Sequence, residues 1–218
     1  MRYKIHVIVQ ARLESKRFPE KILKPIGKYN SLELIYNRVS QSKEINDIIF
    51  AIPKNKKNLP LKKFIKDRIN CKVFQGSDKN VLNRYYSAAK KYKSDIIVRI
   101  TGDCPFVDHS IIDDYVKILK KNNLDYVSNS FPHTYPDGLD VEVFTFEAIK
   151  IANLKAKKLN QKEHVTRYFK ENPKKFKMIN IMCPVKGVSK LRVSKRPRRS
   201  LGASEASSKS IRSRDLYP

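Results

Sequence analysis

Along residues 5–129 the chain alternates short β-branched apolar runs with amphipathic stretches, and that alternation leaves few folds open to it. Strand patterns fall at residues 5–9, 47–52, 72–74, 95–100 and 125–129, with helical patterns at 31–41, 61–69, 80–91 and 110–121 between them. The apolar runs are too short for buried helices, and strands joined through a helix run parallel because the crossover returns the chain to the same edge. The expected fold class is therefore α/β, a three-layer, mostly parallel sheet with helices on both faces. Residues 139–144 read as a further strand and 146–157 as a further helix. Ser31 and Ser110 stand where N-caps are expected, and Pro105 and Pro132 mark exposed loops at the edge where the first strand ends.

A chain of 218 residues, 40% apolar, suits one substantial domain, expected over residues 1–194. The first apolar run is followed at once by charged residues, so neither a signal peptide nor a membrane span is expected, and the predicted location is cytoplasmic with no membrane partner. Cys71, Cys104 and Cys183 are odd in number and far apart, which argues against a disulfide framework and a structural zinc site. The formal charge of +26 suggests nucleic acid, yet the lysines are scattered over many expected surfaces rather than gathered in one stripe. The chain is also rich in Ile and Asn, as A/T-rich coding produces, and no specific nucleic-acid partner is expected. Residues 195–218 lack apolar periodicity and read as a disordered basic tail. That tail holds seven Lys/Arg against two Asp/Glu, leaving 40 basic and 19 acidic residues before it, so it does not create the basicity.

Three clusters carry chemistry. The first strand runs into a loop beginning at Gln10 and bearing Arg12, Lys16, Arg17 and Lys21. In open α/β sheets ligands sit outside the carboxyl ends of strands, and planar guanidiniums, an ammonium and loop N–H groups there suit a polyphosphate. The same residues also suit a solvated basic loop, and neither a Walker A sequence nor a dinucleotide fingerprint occurs. The strand at 95–100 delivers Asp103 beside Gly102, a carboxylate placed either to hold Mg2+ or to form an Asx-turn before Pro105. Asp140 and Glu142 would share one face of a strand, facing sugar hydroxyls or a cation, or else forming a solvated acidic face. His164 lies near them in sequence, as a substrate contact or a packing residue.

Gln10-Ala-Arg12 with Ser15, Arg17, Pro19 and Lys21, Gly76-Ser77 followed by Val81-Leu82 and Arg84-Tyr85, Arg99 through Pro105, Tyr135 through Glu142, and Glu163-His-Val-Thr166 resemble the spore coat polysaccharide biosynthesis protein F family. That family is a branch of the cytidylyltransferases that includes the acylneuraminate and 3-deoxy-manno-octulosonate enzymes. The resemblance runs from about residue 5 to Ser194. It implies a Rossmann-like nucleotide-diphospho-sugar transferase fold that binds CTP through Gln10, Ala11, Arg12, Ser15, Arg17, Lys21 and Arg99. It further implies Arg12, Lys21 and Asp103 as the catalytic set, Asp103 as the Mg2+ ligand, Asp140, Glu142 and His164 at the sugar acid, and a homodimer. The implied reaction is attack by a sugar-acid hydroxyl on the α-phosphate of CTP, which asks the protein for positioning and charge neutralisation rather than a nucleophile. A glycosyltransferase consuming a nucleotide sugar on the same kind of fold, and a catalytically impaired nucleotide-binding protein, are the competing expectations.

The chain departs from the family pattern where Glu14 and Glu20 replace glycine and Lys16 replaces a small polar residue. A carboxylate beside a triphosphate is unfavourable unless it points away or pairs with Lys16, Lys21 or Lys24. After Ser194 the family continues through an Asp/Asn-x-Pro-Glu-Asp-Leu segment whose first acidic position supplies a second metal ligand in relatives, whereas this chain reads Lys195-Arg-Pro-Arg-Arg-Ser-Leu201. Codons permitted for those residues, read one base later, spell Asn-Asp-Pro-Glu-Asp-Leu, so a frameshift near Lys195 is expected. Resequencing the locus checks this: a one-base slip is the predicted finding, and an uninterrupted frame through residue 218 in independent isolates contradicts it.

Overall fold

The computed structural model describes residues 3–14 and 20–191. Ser15, Arg17 and the expected tail at 195–218 lie outside the described residues. Among the described residues nine strands form: β1 (Ile5–Gln10), β2 (Pro25–Ile26), β3 (Tyr29–Asn30), β4 (Asp47–Pro53), β5 (Lys72–Gly76), β6 (Ile96–Thr101), β7 (Tyr126–Ser128), β8 (Glu142–Thr145) and β9 (Met178–Asn180). Seven make the main sheet in the order β5-β4-β1-β6-β8-β7-β9, and β2 and β3 form a separate hairpin. Every main-sheet pairing is parallel except the two made by β8.

The helices are α1 (Ser31–Val39), α2 (Leu59–Phe64, continued by a π-turn at Ile65–Ile69), α3 (Val81–Tyr92), α4 (His109–Lys121), α5 (Phe146–Lys155), α6 (Leu159–Glu163) and α7 (Arg167–Glu171). Apolar side chains of α1, α2 and α4 pack on one face of the sheet with Val7 and Val9, and those of α3, α5 and α7 on the other with Ile8. This double burial explains why β1 reads as a continuous apolar run rather than an alternating one. No helix among the described residues is long and apolar enough to cross a membrane.

The structure moves several expected boundaries, each for a local reason. Asn30, not Ser31, caps α1: its Oδ1 accepts from Leu32 and Glu33 N–H, and Glu33 completes a capping box. Ser31 is instead buried, and its hydroxyl donates to Gly102 O at 2.6 Å. Asp108, not Ser110, caps α4. Pro105 is buried, contrary to expectation, whereas Pro132 is exposed. The strand expected from residue 139 begins only at Glu142, because the Asn129 carboxamide takes the place of ladder partners: Nδ2 donates to Leu139 O at 2.9 Å and Oδ1 accepts from Val141 N–H at 3.0 Å. At three residues, β9 is shorter than most of the apolar runs that mark strands in the sequence.

A buried ionic node beneath the carboxyl edge joins β6, β8 and α7. Glu142 Oε2 accepts from Arg99, and Oε1 accepts from Tyr126 (2.6 Å), Thr166 (2.7 Å), Lys170 (3.0 Å) and Ser130 (3.1 Å). Burial alone would raise the carboxyl pKa, but the Arg99 and Lys170 cations and the hydroxyl donors override it and hold the group well below the usual range. A carboxyl depressed in the folded state contributes stability that is present above its unfolded pKa of about 4.3 and is lost as pH falls below that value. Glu142→Ala, which strands two partly buried cations beside an emptied buried position, should cost about 3 kcal/mol in urea unfolding at pH 7. Glu142→Gln should flatten the acid-side decline of stability, and a decline as steep as that of the parent contradicts the assignment.

Candidate active site

β1 and β6 lie side by side and end level, Gln10 opposite Thr101, so the segments that follow them leave the sheet together. Gly102 makes that approach possible: its N–H donates to Gln10 O at 2.8 Å, and a Cβ there would stand only 3.0 Å from the same oxygen. Between these segments and the start of α3 opens a cleft of about 210 Å3, floored by Gln10, Ala11, Thr101 and Gly102. A wider groove of about 510 Å3 lies at the opposite, amino edge of the sheet beside Tyr3, Lys43 and Lys120, away from the strand ends.

One wall carries Lys21 and Asp103, whose Nζ and Oδ2 atoms are 2.6 Å apart with the side chains 19% and 15% exposed. Arg12 also lines the cleft and is exposed, while Glu163 and His164 enter from the end of α6. Six residues expected at the site thus converge: Gln10, Ala11, Arg12, Lys21, Asp103 and His164. The carboxylate of Glu14 points away, accepting from Asn58 at 3.0 Å and Asn55 at 3.2 Å with Lys57 at 3.4 Å, which removes the conflict its sequence position raised.

Three expected residues take other places. Glu142 and Arg99 lie below the cleft floor in the ionic node, with both Glu142 oxygens occupied, so Glu142 is placed to hold its neighbours rather than to meet a sugar. Arg99 reaches the cleft only through Gln10, donating from Nη2 to Oε1 at 3.3 Å. Asp140 is outside the lining, 3.3 Å from His133 Nδ1, with its carboxyl pKa raised by burial. The alternation that put Asp140 and Glu142 on one face fails because the strand starts only at Glu142.

Arg84 is the residue the sequence left without a role. It lies on α3, 3% exposed, and lines the cleft; its Nη1 donates to Ser77 O at 2.5 Å, while its Nε has no partner among the described residues. A buried guanidinium is costly to leave uncompensated, but Asn-Arg-Tyr-Tyr reads in sequence as an ordinary amphipathic turn.

Among the described residues no three metal-ligating side chains cluster. Asp103 nevertheless fits the way Mg2+ is commonly held, by one or two carboxylates with the remaining positions taken by water and substrate phosphate oxygens. The Asp103 carboxylate is edged by cations, which suits a metal bound together with a phosphate chain rather than alone.

A model of the cytidylyltransferase family matches residues 6–199. The chain is 42% identical over 181 residues to an uncharacterized protein of Methanocaldococcus jannaschii, covering 83% of this chain and 73% of that one. It is 30% identical over 183 residues to the spore coat polysaccharide biosynthesis protein SpsF of Bacillus subtilis, covering 81% and 74%. A cytidylyltransferase structure from Leptospira borgpetersenii superposes with a TM-score of 0.83 at 31% identity, covering 88% of this chain and 81% of that one. The carboxyl-edge cleft therefore sits in a nucleotidyltransferase, and the chain belongs to the cytidylyltransferase family.

Proposed function

We propose that the chain transfers CMP from CTP to the hydroxyl of a sugar acid, for use in surface polysaccharide. The observation that carries this reading is the convergence of Arg12, Lys21 and Asp103 in one cleft at the ends of β1 and β6. The acceptor oxygen forms a bond to the α-phosphorus as the bond to the β-phosphate oxygen breaks; the hydroxyl gives its proton to solvent and pyrophosphate leaves with the electron pair. Arg12 and Lys21 hold the phosphates in line and neutralise charge as it moves onto the leaving group. Asp103 would hold Mg2+, which when bound supplies further neutralisation at the phosphates. His164, on the rim, is the acceptor contact of this scheme, and Asp140 and Glu142 support the surrounding chain. The polysaccharide role is supported by the likeness to SpsF, and the sugar-acid class by the resemblance of the motifs to a family that branches from the cytidylyltransferases acting on acylneuraminate and 3-deoxy-manno-octulosonate.

Mixing the protein with CTP, Mg2+ and N-acetylneuraminate or 3-deoxy-manno-octulosonate should release pyrophosphate in step with a CMP-sugar. Sugar transfer from a ready-made nucleotide sugar without pyrophosphate would contradict the proposal. Lys21→Ala should lower kcat/KM for CTP by about 100-fold, as removal of one stabilising donor does elsewhere. Its unfolding free energy should change by no more than about 1 kcal/mol, because the Lys21–Asp103 pair stays in contact with solvent. Equal kcat/KM in the variant and the parent would remove Lys21 from the machinery.

A further inference from the structure

We propose that Arg84 is a further grip on the phosphate chain of the nucleotide, a guanidinium set in the cleft wall whose counter-ion is the ligand itself. This inference rests on the nucleotide reading above. At 3% exposure Arg84 should be paired, yet among the described residues it makes no ion pair. The carboxylate of Asp78 acts on it only from a distance, being exposed and within hydrogen-bond reach of Asn55 at 3.2 Å. Its Nη1 is taken by the Ser77 carbonyl, while Nε remains buried and without a partner there. Burial disfavours the charge on Arg84, and the nearby Arg12 disfavours it further.

The surroundings are shaped to keep the side chain where it is. A Cβ at Gly76 would come within 2.9 Å of Arg84 Cγ and 3.3 Å of its Cβ, so the residue ending β5 must be glycine for the stem to pass. Gln10 adds a second donor. A guanidinium has no acceptor, so the Gln10 atom facing Arg99 at 3.3 Å must be the oxygen; the amide nitrogen is left without a hydrogen-bond partner among the described residues, at a residue that lines the cleft.

Charge selects the occupant. The charge of Lys21 is balanced by Asp103, whereas Arg12 and Arg84 are neighbouring cations, and the carboxylate on their rim, Glu163, is exposed. Two guanidiniums lining one cleft call for a polyanion, which the nucleotide phosphates provide and the single carboxylate of an acceptor does not.

Calorimetric titration of CTP, CMP, cytidine and N-acetylneuraminate into the parent protein, Arg84→Gln and Arg84→Lys tests this. In Arg84→Gln the CTP affinity should fall about 10- to 100-fold with cytidine changed less than about twofold, the loss expected for a hydrogen bond to a charged group. Arg84→Lys should recover part of the loss. A folded Arg84→Gln with an unchanged CTP-to-cytidine ratio overturns the proposal, as does a loss confined to the affinity for N-acetylneuraminate. Where both variants fail to fold, a crystal of the parent protein with pyrophosphate decides: an anion oxygen within hydrogen-bond distance of Arg84 Nε or Nη2 supports it, and an anion seated elsewhere overturns it. A parent protein that binds neither CTP nor pyrophosphate overturns the nucleotide reading together with this one; normal CTP binding that does not depend on Arg84 overturns this one alone.

Discussion

The parallel pairing of β1 with β6 is the constraint on which the rest of the structure depends. Six residue pairs, from Ile5 opposite Ile96 to Gln10 opposite Thr101, hold the two central strands in register, with helices packed on both of their faces. Because both strands run the same way and stop at the same level, a cationic loop and a carboxylate loop about 90 residues apart in sequence emerge side by side. Tyr85 reinforces the junction from α3, its buried hydroxyl lying 3.0 Å from Ile8 O and 3.2 Å from Ile100 O, so that one proton serves both strands in turn. On the other face Ser31 ties the start of α1 to Gly102. The site is thus built on the stiffest part of the fold, where positioning is most precise.

Around the cleft, charge is organised in two ways. Around Glu142 it is fully compensated: five donors converge on one carboxylate, and the assembly fixes Arg99, which orients Gln10, and α7, which follows the segment bearing His164. Around Arg84 it is not compensated by any described ion pair, although burial is nearly as deep. A protein that invests a complete hydrogen-bond shell in one buried charge and leaves another with an idle donor beside a cleft has separated a structural ionic group from a ligand-facing one.

Much of this was legible in the residues. The α/β class followed from the alternation of apolar runs and amphipathic stretches, and the position of the site followed from cations and a carboxylate placed where strands end. What the sequence concealed depends on side-chain bonding across the fold. Asn129 cancels the first half of an expected strand, so Asp140 and Glu142 part company. Ser31 and Ser110 each lie within two positions of the residue that takes the cap: Ser31 turns instead to Gly102, and Ser110 itself donates to Asp108. The role of Arg84 depends on what is absent around it, and a linear pattern cannot display a missing partner. Gly76 was the available hint, a glycine at a strand end eight positions before an arginine.

The central claim is that Arg12, Lys21 and Asp103 form one triphosphate site at the carboxyl edge of the sheet. A crystal structure of the protein with CTP and Mg2+ tests it most directly. The account predicts the phosphate chain between Arg12 and the Lys21–Asp103 wall, with the metal on the Asp103 carboxylate. A nucleotide bound in the amino-edge groove beside Lys43 and Lys120, or one whose phosphates leave Arg12 and Lys21 untouched, would contradict it.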